Sequence, residues 1–324
     1  MSLNVLVVGG AGYIGSHMVK NLCGRGVNVT TFDNLCSGHR DAVLGGEFIE
    51  GDLADRAALE RVFAARRYDA VMHFASFIEV GESVRLPAKY YRNNVSNTLN
   101  LLECMQAAGV EQFIFSSTAA LFGIPQRVPI DESHPTDPIN PYGRSKLMVE
   151  QILADLGRAH GLRSVCLRYF NAAGADPDGQ LGERHNPETH LIPLVLQAAS
   201  GRRPFMSVFG TDYDTPDGTC IRDYVHVADL CEAHWLALQS LAQGEGSQAY
   251  NLGNGDGFSV FEVIDTVRKV TGREFTVKHE TRRAGDPSRL VADSSAARQK
   301  LGWVPKYPSM QTIVEHAWAF EQRR

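Results

Sequence analysis

Residues 3–15 read Leu3-Asn4-Val5-Leu6-Val7-Val8-Gly9-Gly10-Ala11-Gly12-Tyr13-Ile14-Gly15, and this stretch decides the fold. The run from 3 to 8 is short and, apart from Asn4, apolar, which suits a strand buried on both faces. Glycines follow at 9, 12 and 15, and a helical pattern begins at once over 16–23. Glycine here lets helix and strand approach closely and leaves the backbone bare. A pyrophosphate can then sit against the unpaired N–H groups of the helix start. Taken alone, the triplet is equally a plain tight turn.

Working outward, further short apolar runs stand at 27–32, 47–50, 70–74, 112–116 and 164–167, each separated from the next by a longer helical pattern. That is the rhythm of βαβ units. Phe113-Ile114-Phe115 again offers no polar face, so the sheet is parallel and covered on both sides. The expectation is an α/β protein with a doubly wound parallel sheet over 1–170 and a smaller α+β lobe over 171–324. Loops rich in Gly, Pro and Asp at 175–188 and 210–219 mark the second lobe, although later segments can complete the sheet. Ser259-Val-Phe-Glu262 reads as a capping box, and Ser309 as the cap of a terminal helix.

A chain of 324 residues exceeds what one hydrophobic core sustains, in keeping with two lobes. With 44% apolar and 21% charged residues it is neither disordered nor fibrous. The 32 Lys and Arg against 37 Asp and Glu give a net charge of -5 with no basic footprint, which argues against nucleic acid and acidic membranes as partners. No apolar run approaches the roughly 20 residues of a membrane span, and no signal peptide is evident, so a cytoplasmic location is expected. The six cysteines show neither a C-x-x-C pair nor metal spacing, which predicts free buried thiols and no metal.

Two acids sharpen the nucleotide reading. Asp33 ends the second strand, 18 residues after Gly15, where a carboxylate can accept from both hydroxyls of an adenine ribose. Its charge repels a 2'-phosphate, favouring NAD over NADP, while nearby His39 and Arg40 keep NADP open. Asp52 either meets the adenine amino group or caps the next helix.

Tyr142-Gly143-Arg144-Ser145-Lys146 sets a phenol and an ammonium one helical turn apart on one face. A fixed cation is the usual way to bring a tyrosine down from about 10 toward neutrality, so that it can act as a base. By itself such a pair is more often surface decoration. Ser116-Ser117-Thr118 changes the balance, because it ends a strand where the crevice of a parallel sheet lies. A hydroxyl there can orient or relay the proton that Tyr142 removes.

At this point the sequence resembles the extended short-chain dehydrogenase/reductase family, and within it the UDP-galactose 4-epimerases. The likeness runs through Gly9-Gly-Ala-Gly-Tyr-Ile-Gly15, Asp33-Asn34, His73-Phe-Ala75, Val80-Gly-Glu-Ser83, Asn93-Asn94, Pro141-Tyr-Gly143, Arg168-Tyr-Phe-Asn171 and Arg222-Asp-Tyr-Val-His226. It implies a Rossmann sheet, Tyr142 as base, Lys146 on the nicotinamide ribose, and Thr118 where many members carry serine. It further implies NAD contacts at Gly9, Gly12, Tyr13, Ile14, Gly15, Asp33, Asn34, Asp52, Leu53, Phe74, Ala75, Asn93, Ser116 and Tyr169. The UDP-sugar would be met by Thr118, Tyr142, Asn171, Leu191, Phe209, Arg222, Tyr224, Arg283, Asp286 and Leu290. Read as structure alone, Arg222-Asp223 is a lobe-spanning ion pair and Arg283-Asp286 a solvated loop pair.

The implied reaction passes through a transient 4-keto sugar. Family dehydratases carry an Asp-Glu pair directly after the strand-end threonine, but Ala119 and Ala120 stand here, and a methyl transfers no proton. Related decarboxylases are disfavoured more weakly. Return of hydride to the other face, inverting carbon 4 of UDP-galactose or UDP-glucose, is the remaining outcome. Other UDP-sugars and a non-catalytic NAD-sensing protein are the alternatives, the latter at odds with intact Thr118, Tyr142 and Lys146. Ile78, Phe122 and Thr118 depart from the family pattern, and Leu290 lies where the sugar pocket is sized. The resemblance also implies that helices over 90–108 and 142–160 pair two copies into a homodimer, while their apolar stripes equally suit the sheet face.

Overall fold

A computed structural model describes residues 3–283 and 285–324. Its first part alternates β1 (Asn4–Val8), α1 (Tyr13–Gly24), β2 (Asn28–Asp33), β3 (Glu47–Glu50), α2 (Arg56–Ala65), β4 (Ala70–His73), α3 (Val80–Arg85), α4 (Pro87–Tyr91), α5 (Asn97–Ala107), β5 (Gln112–Thr118), α6 (Pro141–His160) and β6 (Arg163–Tyr169). Then follow β7 (Asn171–Ala173), α7 (Leu191–Ala199), β8 (Met206–Phe209), β9 (Ile221–Arg222), β10 (Tyr224–His226), α8 (Val227–Ala242) and β11 (Gln248–Leu252). The chain ends through β12 (Phe258–Ser259), α9 (Val260–Thr271), β13 (Val277–Glu280), β14 (Arg289–Leu290) and α10 (Met310–Glu321).

Among the described residues the main sheet runs β11-β6-β5-β4-β1-β2-β3, with every neighbouring pair parallel. Alternation along β1 shows why both faces are apolar. Val5 and Val7 pack with Met18, Val19 and Leu22 of α1 and Leu230 and Leu238 of α8. Leu6 and Val8 face the other way, onto Leu59 of α2, Leu101 and Met105 of α5 and Val149 of α6. Strand order reverses between β1 and β4, and in such sheets that switch point opens the ligand crevice at the carboxyl ends.

The second lobe is built from the small sheet β12-β9-β14 and the pairs β7 with β10 and β8 with β13. Its core joins Val195 and Leu196 of α7, Val263 and Val267 of α9, and Ile313 and Val314 of α10. The chain passes between the lobes repeatedly. From the second lobe it returns through α8 and β11 to the sheet, crosses to β12, comes back to bury Trp303 against α8, and crosses again into α10.

Several expectations are corrected. The helix expected over 90–108 is interrupted by a π turn, Arg92–Ser96, between α4 and α5. Ser259 and Glu262 form both bonds of a capping box, whereas Ser309 stands at the start of α10 without a side-chain capping bond. Asp55, accepting from Ala58 N at 3.0 Å, caps α2, which removes the capping reading of Asp52. The cysteines are free, but Cys36 is exposed and Cys23 and Cys220 are half-buried, so only part of the set is buried as expected. Among the described residues no helix is long and apolar enough to cross a membrane.

Candidate active site

The loop after β1 forms a cradle that side chains would fill. Gly9 has φ +80° and lies so close to the turn after β4 that a Cβ would sit 2.5 Å from Ala75 N. At Gly15 an added Cβ would come within 2.1 Å of Gly9 O. Gly12 starts α1 with no side-chain cap, and a Cβ there meets no heavy atom nearer than Gly9 O at 3.4 Å. The first N–H groups of α1 are therefore left for an anion, and the cradle fits a dinucleotide pyrophosphate.

Around it, Asp33 accepts from Ala11 N at 2.9 Å and Leu35 N at 2.8 Å. Burial raises its pKa, and those two backbone donors oppose the rise. Asn34 Nδ2 donates to Asp52 Oδ2 at 2.7 Å, and Leu53 is buried beside them. Tyr13 reaches across to donate to Gly174 O at 2.6 Å, Ile14 packs on the sheet core, and Phe74 lies 4.8 Å from the His234 ring.

Asn140 caps α6 by accepting from Gly143 N at 2.8 Å, and Pro141 suits the first turn. This cap aims Tyr142 and Lys146 back at the crevice. Lys146 is 2% exposed, and its Nζ donates to Ser76 Oγ at 2.8 Å and Ser116 O at 2.7 Å. Burial pushes the Lys146 ammonium down to about 7, although Glu150 pulls it upward. Burial also raises the Tyr142 phenol, with the Thr118 hydroxyl beside it pulling the other way. In the protein alone, desolvation thus holds both groups toward neutrality, and the expected lowering of the phenol by Lys146 does not emerge. Two buried charges need each other or a third charge to be worth forming.

Thr118 Oγ1 accepts from Ala120 N at 3.1 Å, and the Ser116 hydroxyl bonds the Tyr169 phenol. Ala119 and Ala120 form the turn that follows, with Ala119 buried. The π turn coincides with bonds to segments distant in sequence. Asn94 Oδ1 accepts from Phe77 N at 2.9 Å and from Asn93, while its Nδ2 donates to Phe77 O and to Ser145 Oγ, both at 3.1 Å. The helix is thereby clipped to the segment after β4 and to α6. Ser76 and Ser145 are not legible in the sequence, since an isolated serine carries no local signal. The Asn93-Asn94 pair inside a helical pattern was the available hint.

On the sugar side, Asn171 Nδ2 donates to Asp223 O at 2.9 Å, which fixes β7 beside β10. Neither arginine makes its structural alternative. Arg222 lies 3.7 Å from Asp286 and donates to Pro287 O at 2.9 Å, while the Asp223 carboxylate accepts from Asn254 N, Gly255 N and Ala292 N. Arg283 lies over the Phe209 ring at 4.3 Å instead of pairing with Asp286. Backbone donors satisfy Asp223 where it is buried, which frees Arg222 to face the loop. Leu290 pairs in register with Arg222 and packs against the cluster of Ala119 and Phe122, joining the sugar side to the end of β5. Leu191 and Tyr224 pack into the second-lobe core.

Comparison with known proteins follows these features along the chain. The profile described as the NAD dependent epimerase/dehydratase family matches residues 5–253. A UDP-glucose 4-epimerase of Rhizobium meliloti is 53% identical over 321 residues, covering 99% of this chain and 98% of its own. The crystal structure of UDP-glucose 4-epimerase from Brucella ovis in complex with NAD is 51% identical with a TM-score of 0.96, over 99% of each chain. That from Bifidobacterium longum in complex with NAD+ and UDP is 39% identical with a TM-score of 0.94, covering 99% of this chain and 98% of that one.

Proposed function

The chain belongs to the NAD dependent epimerase/dehydratase family, and from that premise we propose that it is an isomerase interconverting UDP-galactose and UDP-glucose at carbon 4. The observation that carries this reading is Lys146, one turn after Tyr142 on α6 and buried where it donates to Ser76 Oγ and to Ser116 O at the end of β5, with methyl groups at Ala119 and Ala120 where elimination would need an acid and a base. Gly9, Gly12, Gly15, Asp33 and Lys146 would hold NAD, which when bound would supply a two-electron acceptor and donor regenerated within each cycle.

Tyr142 takes the proton from the sugar 4-hydroxyl and later gives it back. Thr118 orients that hydroxyl. Lys146, fixed by Ser76 and the Ser116 carbonyl, stabilises the phenolate once charge develops in the crevice. Arg222, Arg283 and Asn171 hold the nucleotide while the sugar presents its other face, a task for which planar guanidinium groups suit diphosphate oxygens. Residues 1–170 together with α8 and β11 form the cofactor lobe in this reading, and most of the remainder forms the sugar lobe.

Incubation of the purified protein with UDP-galactose and NAD is expected to yield UDP-glucose by NMR. No conversion, with turnover of another UDP-sugar in the same panel, would replace the substrate. No conversion of any would remove the enzymatic reading. We place the protein in the cytoplasm as a homodimer meeting through α5 and α6, where Leu99 and Met148 remain exposed. A monomer by sedimentation that persists at micromolar concentration would refute that assembly.

A further inference from the structure

We propose that Glu183, His185, Glu188 and His190 form a closed site for a divalent transition metal, zinc by ligand chemistry, which fixes the loop between β7 and α7 against the cofactor end of the sheet. The inference stands apart from the epimerase reading. One ligand atom from each of the four lies within 4.8 Å of all the others. His185 Nδ1 and His190 Nδ1 lie 3.0 and 2.5 Å from Glu183 Oε1, and 3.7 and 3.5 Å from Glu188 Oε1. Ligand bonds of about 2.0–2.2 Å in a tetrahedron require neighbouring donors about 3.4 Å apart, so the four converge at nearly the right size.

A second observation points inward. The Glu188 side chain is 5% exposed, and while its Oε1 accepts from Thr189 N at 2.8 Å and His190 N at 2.9 Å, its Oε2 is buried without a partner. A buried, unpartnered carboxylate oxygen is costly, and a cation is its natural complement. Two carboxylates and two neutral imidazoles balance a divalent ion, leaving no net buried charge. The imidazoles favour zinc over calcium or magnesium, and four protein donors describe a structural site instead of one open to substrate.

Access is provided by a cavity of about 460 Å³ lined by His185 and Glu188. Of the three arginines lining it, Arg184 binds the Asp41 carboxylate, Arg202 binds that of Glu321, and Arg324 donates to the backbone oxygen of Glu183 at 3.4 Å. His39 Nε2 meets Arg184 O at 2.9 Å, and the His185 ring lies 6.2 Å from Tyr13, so the metal would tie this loop to the start of α1. The spacing E-x-H-x-x-E-x-H over 183–190 is the sequence signal of this site, and it contains no cysteine.

The test uses the full chain, treated with EDTA, dialysed, and titrated with zinc chloride alone. The expected result is one zinc per chain by elemental analysis, an EDTA-reversible rise in melting temperature, and the visible bands of tetrahedral cobalt when Co2+ replaces zinc. E188Q and H190Q are expected to weaken zinc binding by about a hundredfold or more in chelator competition. If either variant fails to fold, the wild-type cobalt spectrum and zinc stoichiometry decide. Less than stoichiometric zinc, an unchanged melting temperature, an octahedral cobalt spectrum, or variants that keep full affinity would overturn the site.

Discussion

At the residue scale, the consequential feature is that Tyr142 and Lys146 are both driven toward their neutral forms by burial. Their useful charges must appear together, when the crevice is filled. Tyr142→Phe is expected to lower kcat by about 10²- to 10⁴-fold while NAD and UDP still bind in calorimetry. Turnover within a few-fold of wild type would take the base role away from Tyr142. Lys146 also predicts a pH signature in protein stripped of nucleotide. Its pKa falls from 10.5 to about 7 on folding, so between these values the unfolded chain holds a proton that the folded one has lost. Stability from this group therefore rises with pH across that window. Comparing wild type with Lys146→Met by chemical denaturation from pH 7 to 9 should show wild type gaining on the variant; parallel curves would refute the shift. Asp33→Asn, which removes a charged acceptor beside the cradle, is expected to weaken NAD binding about tenfold to a hundredfold by titration calorimetry.

At the element scale, caps separate what is energetic from what is merely positional. Ser259→Ala breaks the capping box of α9 and is expected to cost about 1 kcal/mol in denaturant unfolding. Ser309→Ala removes a hydroxyl that makes no capping bond and should change stability by only a few tenths. If the two losses were equal, the distinction drawn from geometry would be mistaken. Elements were the most legible level of this sequence. The strands announce themselves because a two-sided sheet demands unbroken apolar runs such as Val5-Leu6-Val7-Val8 and Phe113-Ile114-Phe115. The π turn at Arg92–Ser96 was not legible, since it answers to bonds that Asn94 makes with Phe77 and Ser145. Ser309 misled because a residue type signals a cap only when its hydroxyl finds the N–H.

At the scale of the whole molecule, legibility falls with sequence separation. The glycine cradle and Tyr142-x-x-x-Lys146 lie within local stretches and could be read as such. Lys146 meets Ser76 across 70 positions, and Arg222 meets Asp286 instead of its neighbour Asp223, choices made only by the folded chain. The same holds for the sheet, whose edge strand β11 comes from beyond residue 247. A fragment ending at residue 170 would lack that strand and α8, whose Leu230, Ala237 and Leu238 fill one sheet face. It is expected to remain unfolded or aggregated by circular dichroism and size exclusion, and a cooperative melt from that fragment would show the later elements to be dispensable.

Because the polypeptide shuttles between its halves instead of crossing once, the two parts are laced together. A body stitched in this way does not swing open like a book on a single thread. Departure of product is expected to proceed by local yielding along the rim, for which the loop 210–219 is the candidate. Stiffening that loop is expected to slow release more than any change near residue 170.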